Sequence, residues 1–438
     1  MPRRLKRSPS GVVASGAVTR DTLPTFAVLL VTIGAVLYNA VLALASASGL
    51  AVGAPHVMAT EAAVLAVVTL MIGVTGLRRG DAPATLFLVF FVVSALVISF
   101  MSEGLFLPLV RGAAVIALFL MVGYRVQAGT LRRVFAVIAL LVFAVLALEI
   151  AFPSLYVRLF EPGRYYEGTR GIEQLETVDG LFRNASGFEG RFTLARFLDH
   201  RAGSLFLEPV SLGNFAVVLT GFLLSFWGRL RRIEKISYCA LILTILLSTN
   251  SRILLGFILL APLIATAGGW MGRANRLLLM PAILAIAALL YTFGPAIEGD
   301  NLVGRIGLAI RSLADLDLAA LAGGQSDLAA SATDSGYAYV IYAGSILGLL
   351  ALWVFVTTVL PDSSATQRKL GLFVALYVFL NLLISGNSVF SIKVAALLWL
   401  LVGCVAASGV REGQAAPRSW RGPAKGFRSP LPDGSLAG

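Results

Sequence analysis

The chain has 438 residues, of which 58% are hydrophobic and 13% are charged, whereas soluble domains carry roughly a quarter charged residues. Together with a mean hydropathy of +0.87, this excludes ordinary water-soluble domains, collagen, coiled coils, secreted disulfide scaffolds and whole-chain disorder. The formal net charge of +12 would suggest a nucleic-acid partner in a soluble chain. In a membrane protein the informative quantity is instead the side of each span on which the charges fall, and no nucleic acid is expected.

Residues 1–23 form a basic tail without the short apolar core and cleavage site of a signal peptide. Apolar runs at about 24–46, 57–77, 83–101, 105–123 and 131–152 predict five transmembrane helices within 24–152. A long polar connection, 153–205, follows. In it Ile172, Leu175, Val178, Leu181 and Phe182 recur at helical spacing, with a second cluster at Phe192, Leu194, Phe197 and Leu198. Amphipathic helices of this kind lie flat in the membrane interface or pack into a small cap. Runs at 206–227, 236–250, 252–270 and 277–294 predict the sixth to ninth helices within 206–294. Thr249-Asn250-Ser251-Arg252 reads as a tight turn between two of them, a single long broken helix being the competing reading. A second long connection, 295–335, precedes runs at 336–360, 371–385 and 388–408, which predict helices ten to twelve within 336–408. The tail 409–438, with Pro417, Pro423, Pro430 and Pro432, reads as disordered. The expected fold class is therefore all-α: a polytopic integral membrane protein with about 12 transmembrane helices and two long loops on one face.

The short connections alternate in charge. Arg3, Arg4, Lys6, Arg7 and Arg20 share one side with Arg78-Arg79, Arg125, Arg132 and Arg133. The group 229–235, Arg273, Arg276, Arg368-Lys369 and the C-terminal tail follow on that same side. In all, 23 of the 35 basic residues fall there, which the positive-inside rule makes cytoplasmic, with both termini inside. The opposite face then owns both long loops. The first holds seven arginines, no lysine and eight acidic residues up to Glu208, so it is nearly neutral.

Cys239 and Cys404 both fall in hydrophobic runs and read as packing residues; they offer neither a disulfide framework nor a metal motif. Charges inside or at the edge of a span are costly and so are functional candidates. Five stand out: Glu61, Arg111, Glu149, Arg252 and Lys393. The bland reading of the first three is internal ion pairing, for instance Glu61 with Arg111, and that of Lys393 is snorkelling to the outer face. Arg252 stands beside Thr249, Asn250 and Ser251, where a guanidinium can meet phosphate oxygens two at a time. Arg201, Arg305 and Arg311 lie near span ends on the same face. Asp334, in Thr333-Asp334-Ser335-Gly336-Tyr337, can act as a general base toward a sugar hydroxyl or simply cap the next helix. His200, beside Arg201, reads as a solvated loop histidine; with no second ligand at metal spacing, neither a metal nor any other cofactor is expected.

Three stretches in order carry a resemblance: Arg201-Ala202-Gly203-Ser204-Leu205-Phe206-Leu207-Glu208-Pro209-Val210-Ser211-Leu212-Gly213-Asn214-Phe215, then Ser248-Thr249-Asn250-Ser251-Arg252, then Asp334-Ser335-Gly336-Tyr337 with Gly344 and Gly348. Over about residues 200–400 they resemble the O-antigen ligase and polymerase superfamily, with its Arg-x-x-Gly…Pro stretch, Thr-x-Ser-Arg turn and late His-Asn-x-Tyr-type element. The Glu208-Pro209 version looks more like the Wzy-type exopolysaccharide (O-antigen) polymerases than the ligases. Ligases carry histidine where Asp334 stands.

The resemblance implies a GT-C-like glycosyltransferase of the bacterial inner membrane, metal-independent and inverting, with its active site at the periplasmic face. Its substrates would be glycans on polyprenyl (undecaprenyl) diphosphate, its surroundings membrane lipids, and its candidate partner a polysaccharide chain-length regulator. The activity implied is transfer of a growing glycan onto a new lipid-linked repeat unit. The alternatives are an O-antigen ligase that transfers glycan to lipid A core and, outside the enzymes, a secondary transporter or lipid-linked oligosaccharide flippase. Carried onto this sequence, the resemblance gives Arg252, Arg305 and Arg201 to diphosphate binding and Asp334 or Glu208 to hydroxyl activation. Arg311, Tyr337, Arg191, Lys393 and His200 are supporting candidates.

Overall fold

The structure, a computed structural model, describes residues 22–102, 107–172, 180–181, 185, 198–294, 302–332, 335–384 and 388–415. Among these residues there are helices and short helical turns but no strand. The first membrane-length group comprises α1 (Thr25–Ala47), α2 (Ala54–Thr75), α3 (Ala82–Ser102), α4 (Leu107–Tyr124) and α5 (Ala128–Ala151). Two short helices follow, α6 (Pro153–Phe160) and α7 (Pro162–Arg170). Then come α8 (Pro209–Phe226), α9 (Arg232–Thr249), α10 (Arg252–Ala267), α11 (Arg273–Leu277) and α12 (Leu279–Phe293). A group of short helices, α13 (Leu302–Ala314), α14 (Leu318–Ala322) and α15 (Ser326–Ser331), leads to α16 (Gly336–Thr358), α17 (Ala365–Ile384) and α18 (Ile392–Ala415).

Ten of these helices, some with a flanking turn, are long and apolar enough to cross a membrane: α1 to α5, α8, α10, α12, α16 and α17. The chain is thus a multi-pass helical membrane protein. α9 differs in carrying Arg232, Glu234 and Lys235 in its first turn, and α18 has a shorter apolar stretch, Ile392–Ser408. Side chains such as Phe100, Phe293 and Val74 stand more than 80% exposed on the flanks, as expected where hydrocarbon rather than water is the solvent.

Hydrogen bonds tie the helix ends into two clusters. At the basic end, Leu23 N–H donates to the Arg125 carbonyl (3.2 Å), and Gln367 joins the start of α17 to the Val405 carbonyl late in α18 (3.1 Å). Arg132 meets Glu234 through two bonds of 2.7 and 2.5 Å. Arg125 is fully buried and spends all its donors: two on Asp81 (2.8 and 2.6 Å), the rest on Thr75, Gly76 and Met121. Arg276, also fully buried, reaches Asp362 (3.0 Å) and the carbonyls of Thr357 and Leu360. The opposite end gathers α6, α7, the 200–208 segment, the α9–α10 turn and the start of α18.

The core runs along α4, α18 and α8. Gly123 and Gly403 face each other where α4 crosses α18: a Cβ on Gly123 would lie 2.6 Å from the Leu400 carbonyl, and one on Gly403 would strike the Leu120 carbonyl. Only glycine allows backbones this close.

Several element ends differ from the hydropathy reading. α9 starts at Arg232 rather than 236, because the Glu234 carboxylate caps the Arg231 N–H (2.8 Å) and extends the helix into a charged turn. α18 continues to Ala415, past the 409 boundary set for a disordered tail and through Gly409 and Gly413. The Thr249–Arg252 stretch is a turn, with Asn250 in the left-handed region (φ 47°) and Ser251 capping α10. α16 is interrupted at Ser345 (φ 67°), and the Tyr342 carbonyl, freed by the break, accepts from Gln325 N–H (3.0 Å). The amphipathic stretches expected at 172–182 and 192–198 lie almost wholly outside the described residues.

Candidate functional site

At the end opposite the basic one, the carboxylate of Glu149, in the last turn of α5, organises the loop before α8. It accepts from the backbone N–H groups of Gly203 (3.1 Å) and Ser204 (2.7 Å) and faces His200 Nε2 at 3.2 Å. His200 is therefore buried at a carboxylate, not solvated as the sequence suggested. Ser204 (φ 45°) and Leu207 (φ 58°) both adopt the left-handed conformation, which is uncommon for residues with a side chain. Tyr156 donates to the Ser204 carbonyl (2.9 Å) and Tyr166 to that of Phe206 (3.3 Å), holding this strained turn in place.

The turn delivers Glu208 to the head of α8, just before Pro209 at the first helical position. Its side chain does not cap the helix. Instead it accepts from Ser211 Oγ (2.9 Å), Arg170 (3.3 Å) and Lys393 Nζ (3.3 Å). Lys393 is buried, 1% exposed, and also reaches the Phe206 carbonyl at 3.5 Å. It does not snorkel, because the carboxylate at the head of α8 gives its charge a partner inside the bundle. The Arg170 guanidinium lies over the Tyr166 ring, 4.5 Å from its centre. Burial works to raise the Glu208 carboxyl, but Arg170 and Lys393 beside it, with the Ser211 hydroxyl, bring it from 4.5 down to about 2.

A second charged group adjoins the first. Glu61 on α2 accepts from Arg111 on α4 (2.8 Å) and from the Tyr38 hydroxyl on α1 (2.5 Å). Asn39, next along α1, accepts from Tyr165 on α7 (2.7 Å). Helix α7 therefore binds the two groups together, through Tyr165 on one side and Tyr166 and Arg170 on the other.

The arginines singled out in the sequence lie at the same end. Arg201 is buried and donates through Nε to the Thr249 carbonyl (2.7 Å), while Ala202 N–H donates to Ser248 (3.1 Å). This puts Arg201 against the turn that launches Arg252, the first residue of α10, which is half-buried. Gly213 on α8 touches that turn so closely that a Cβ would sit 2.6 Å from Ser251 Oγ. Arg305, on α13, donates to the Ile384 carbonyl at the end of α17 (3.2 Å). Arg311 is exposed on the last turn of α13. Tyr337 is buried and donates to the Phe379 carbonyl (3.0 Å), so it fastens α16 to α17. Asp334 and Arg191 lie outside the described residues; the cap of α16 is Ser335, whose hydroxyl accepts from Ala338 N–H. Cys404 is packed inside, but Cys239 is exposed on the flank of α9 and is not a core residue, because its helix turns that face outward.

The residue that sequence reasoning missed is Arg170. It ends a short helix in a loop with seven arginines, and nothing local separates it from the others. Among the described residues no cluster of three or more His, Cys, Asp or Glu could hold a metal ion. A cavity of about 240 Å³, lined by Val126, Ser225, Arg229, Thr366 and Cys404 among others, lies at the basic end, away from these groups. No family model matches the chain, no curated protein does, and no solved structure matches it.

Proposed function

We propose that this protein is a polysaccharide polymerase of the bacterial inner membrane. It would transfer a polyprenyl-diphosphate-linked glycan onto a new lipid-linked repeat unit at the periplasmic face. In this reading α9 and α18 join the ten apolar helices to give twelve spans, and the basic end, with both termini, faces the cytoplasm. The observation that carries the reading is where the cations collect. Arg201, Arg252, Arg170 and Lys393 all attach to the 200–208 segment, the head of α8 or the α9–α10 turn. These are the stretches that resemble the ligase and polymerase superfamily.

The acceptor hydroxyl attacks the anomeric carbon of the donor sugar, and the lipid diphosphate leaves with the bonding electrons. Attack from the face opposite the leaving group inverts that centre. Arg252, Arg201 and Arg305 neutralise the charge that grows on the departing diphosphate, where fixed positive groups lower the barrier most. Anchoring both lipid tails in the bilayer aligns the reacting atoms. Glu208 is already engaged by Arg170, Lys393 and the Ser211 hydroxyl and so is poorly placed to take the proton of the acceptor hydroxyl. Asp334 is therefore assigned that role, and Glu208 is the counter-ion that orders Arg170 and Lys393. Aspartate at position 334, where ligases carry histidine, favours polymerase over ligase.

The test is chain length. In cells whose own gene is deleted, Arg252→Lys should leave protein in the membrane but reduce the glycan to single repeat units, because an ammonium cannot replace the guanidinium fork. Full-length polymer from that variant refutes the reading. Repeat units trapped on the cytoplasmic face of the deletion strain would mean a flippase, and long chains left on carrier lipid would mean a ligase.

A further inference from the structure

The cavity at the basic end has no part in the polymerase reading. It lies between the start of α5, the end of α8, the start of α17 and the end of α18, and measures about 240 Å³. The buried part of its lining is Val126, Phe226, Cys404 and Val405, and the exposed part is Arg229 and Thr366. The hydroxyls of Ser225, Ser364 and Ser408 stand between the two, partly buried. Among the described residues no carboxylate lines it.

The polar groups of the lining are of two kinds. Arg229 can only donate. The Ser364 hydroxyl accepts from Gln367 N–H (3.2 Å), which leaves its own proton to be given. Ser225 and Ser408 instead donate back to the Gly221 and Val405 carbonyls (both 2.9 Å) and offer lone pairs. The first kind suits phosphate oxygens and the second suits hydroxyl groups. The surroundings are cationic. Segments 126–133, 227–235 and 361–369 hold eight basic residues and two acids, Glu234 and Asp362. Glu234 is paired with Arg132, Asp362 with Arg276, and the adjacent Arg125 with Asp81. Beyond Ser408, α18 adds one residue of each sign, Arg411 and Glu412. Trp227 shares a short turn with Arg229, is 51% exposed, and has Lys235 Nζ 4.8 Å from its ring centre. Such a tryptophan belongs at headgroup level in a bilayer.

We propose that this cavity binds the phosphoglycerol headgroup of an anionic phospholipid from the leaflet on that side. Arg229 and the Ser364 hydroxyl hold the phosphate, and Ser225 and Ser408 accept from the glycerol hydroxyls. A headgroup that carries an ammonium fits worse, because no carboxylate in the described lining receives it. The volume falls short of the roughly 300–1,000 Å³ of pockets for drug-sized ligands. It therefore takes the headgroup and leaves the acyl chains in the hydrocarbon. Bound there, the lipid ties the end of α8 to the start of α17 and the end of α18.

The experiment uses the full chain, stripped of lipid in a non-ionic detergent and titrated with dioctanoyl phosphatidylglycerol or dioctanoyl phosphatidylcholine. Native mass spectrometry counts the bound molecules and calorimetry reads the affinity. One phosphatidylglycerol should bind, at least about tenfold tighter than phosphatidylcholine, and raise the unfolding temperature. Arg229→Gln should weaken it by about tenfold, the size of a charged hydrogen bond lost. Ser408→Leu, which fills the cavity, should abolish it. Arg133→Gln, exposed on α5 and outside the lining, should leave it unchanged. Unfolding temperatures without lipid check that each variant is folded, and Arg229 is exposed enough to be replaced without disturbing the core. Absence of binding, equal affinity for the two lipids, or undiminished binding in Arg229→Gln would overturn the site. An equal loss in Arg133→Gln would overturn it too, as attraction to a basic surface. Glycerol 3-phosphate bound as tightly as the lipid would overturn the assignment to a phospholipid in favour of a soluble phosphate ester. Glycan length is read separately, so each of these outcomes leaves the polymerase reading where it stands.

Discussion

The two ends of the bundle treat their buried cations differently. At the basic end Arg125 spends every donor on Asp81 and three further oxygen acceptors, whereas Arg276 shares the Leu360 carbonyl with Arg273 and leaves Nη1 without a hydrogen bond. At the other end Lys393 and Arg170 share one carboxylate. Burial of a positive charge is thus no sign of function by itself. Arg125, with all its donors spent, ties the end of α4 to the turn before α3.

The comparison breaks most readily at Asp81. Asp81→Asn leaves Arg125 buried without its counter-charge and should cost about 3–5 kcal/mol, seen as a large fall in the yield of folded protein and in its unfolding temperature. Glu149→Gln should cost less, about 1.5–3 kcal/mol, because it weakens charged bonds to the Gly203 and Ser204 N–H groups. Its second effect sharpens the comparison: it loosens the turn that presents Glu208, so on the polymerase reading proposed above glycan length should shorten even in protein that remains folded. Gly403→Ala drives a methyl into the Leu120 carbonyl and should cost about 1–3 kcal/mol, read from the unfolding temperature in detergent.

Acid probes the shared carboxylate directly. The folded Glu208 carboxyl lies at about 2 against an ordinary 4.5. Its contribution is therefore complete above 4.5 and is lost as the pH falls from there toward 2. Thermal unfolding followed over that window should show a steeper decline for the wild type than for Glu208→Gln. The smallest effect belongs to the exposed Arg164–Glu161 pair (3.1 Å). Arg164→Ala should change stability by less than about 1 kcal/mol, which separates this surface pair from the buried Arg125–Asp81 pair.

Much of the helical framework could be read directly, because a span declares itself by some twenty apolar residues. The turn at Asn250 was equally visible, its polar tetrapeptide sitting between two apolar runs. The break in α16 was not: Ala343-Gly344-Ser345 continues an apolar run without proline, and the neighbour that completes its hydrogen bonding, Gln325, stands at the head of another helix. The Glu61–Arg111 pair was foreseeable as two costly charges in need of each other. The junction of Arg170, Glu208 and Lys393 was not, since its bonds reach across 38 and 185 positions of chain. No local pattern reports which of many arginines such a carboxylate will select. For the same reason His200 read as a solvated loop residue until Glu149, 51 positions earlier, closed over it.

The crossing of α4 and α18 also restricts traffic. With Gly123 and Gly403 back to back, that seam is too narrow for an isoprenoid or acyl chain to slip between. Any hydrocarbon chain that entered the bundle would have to do so elsewhere around its perimeter.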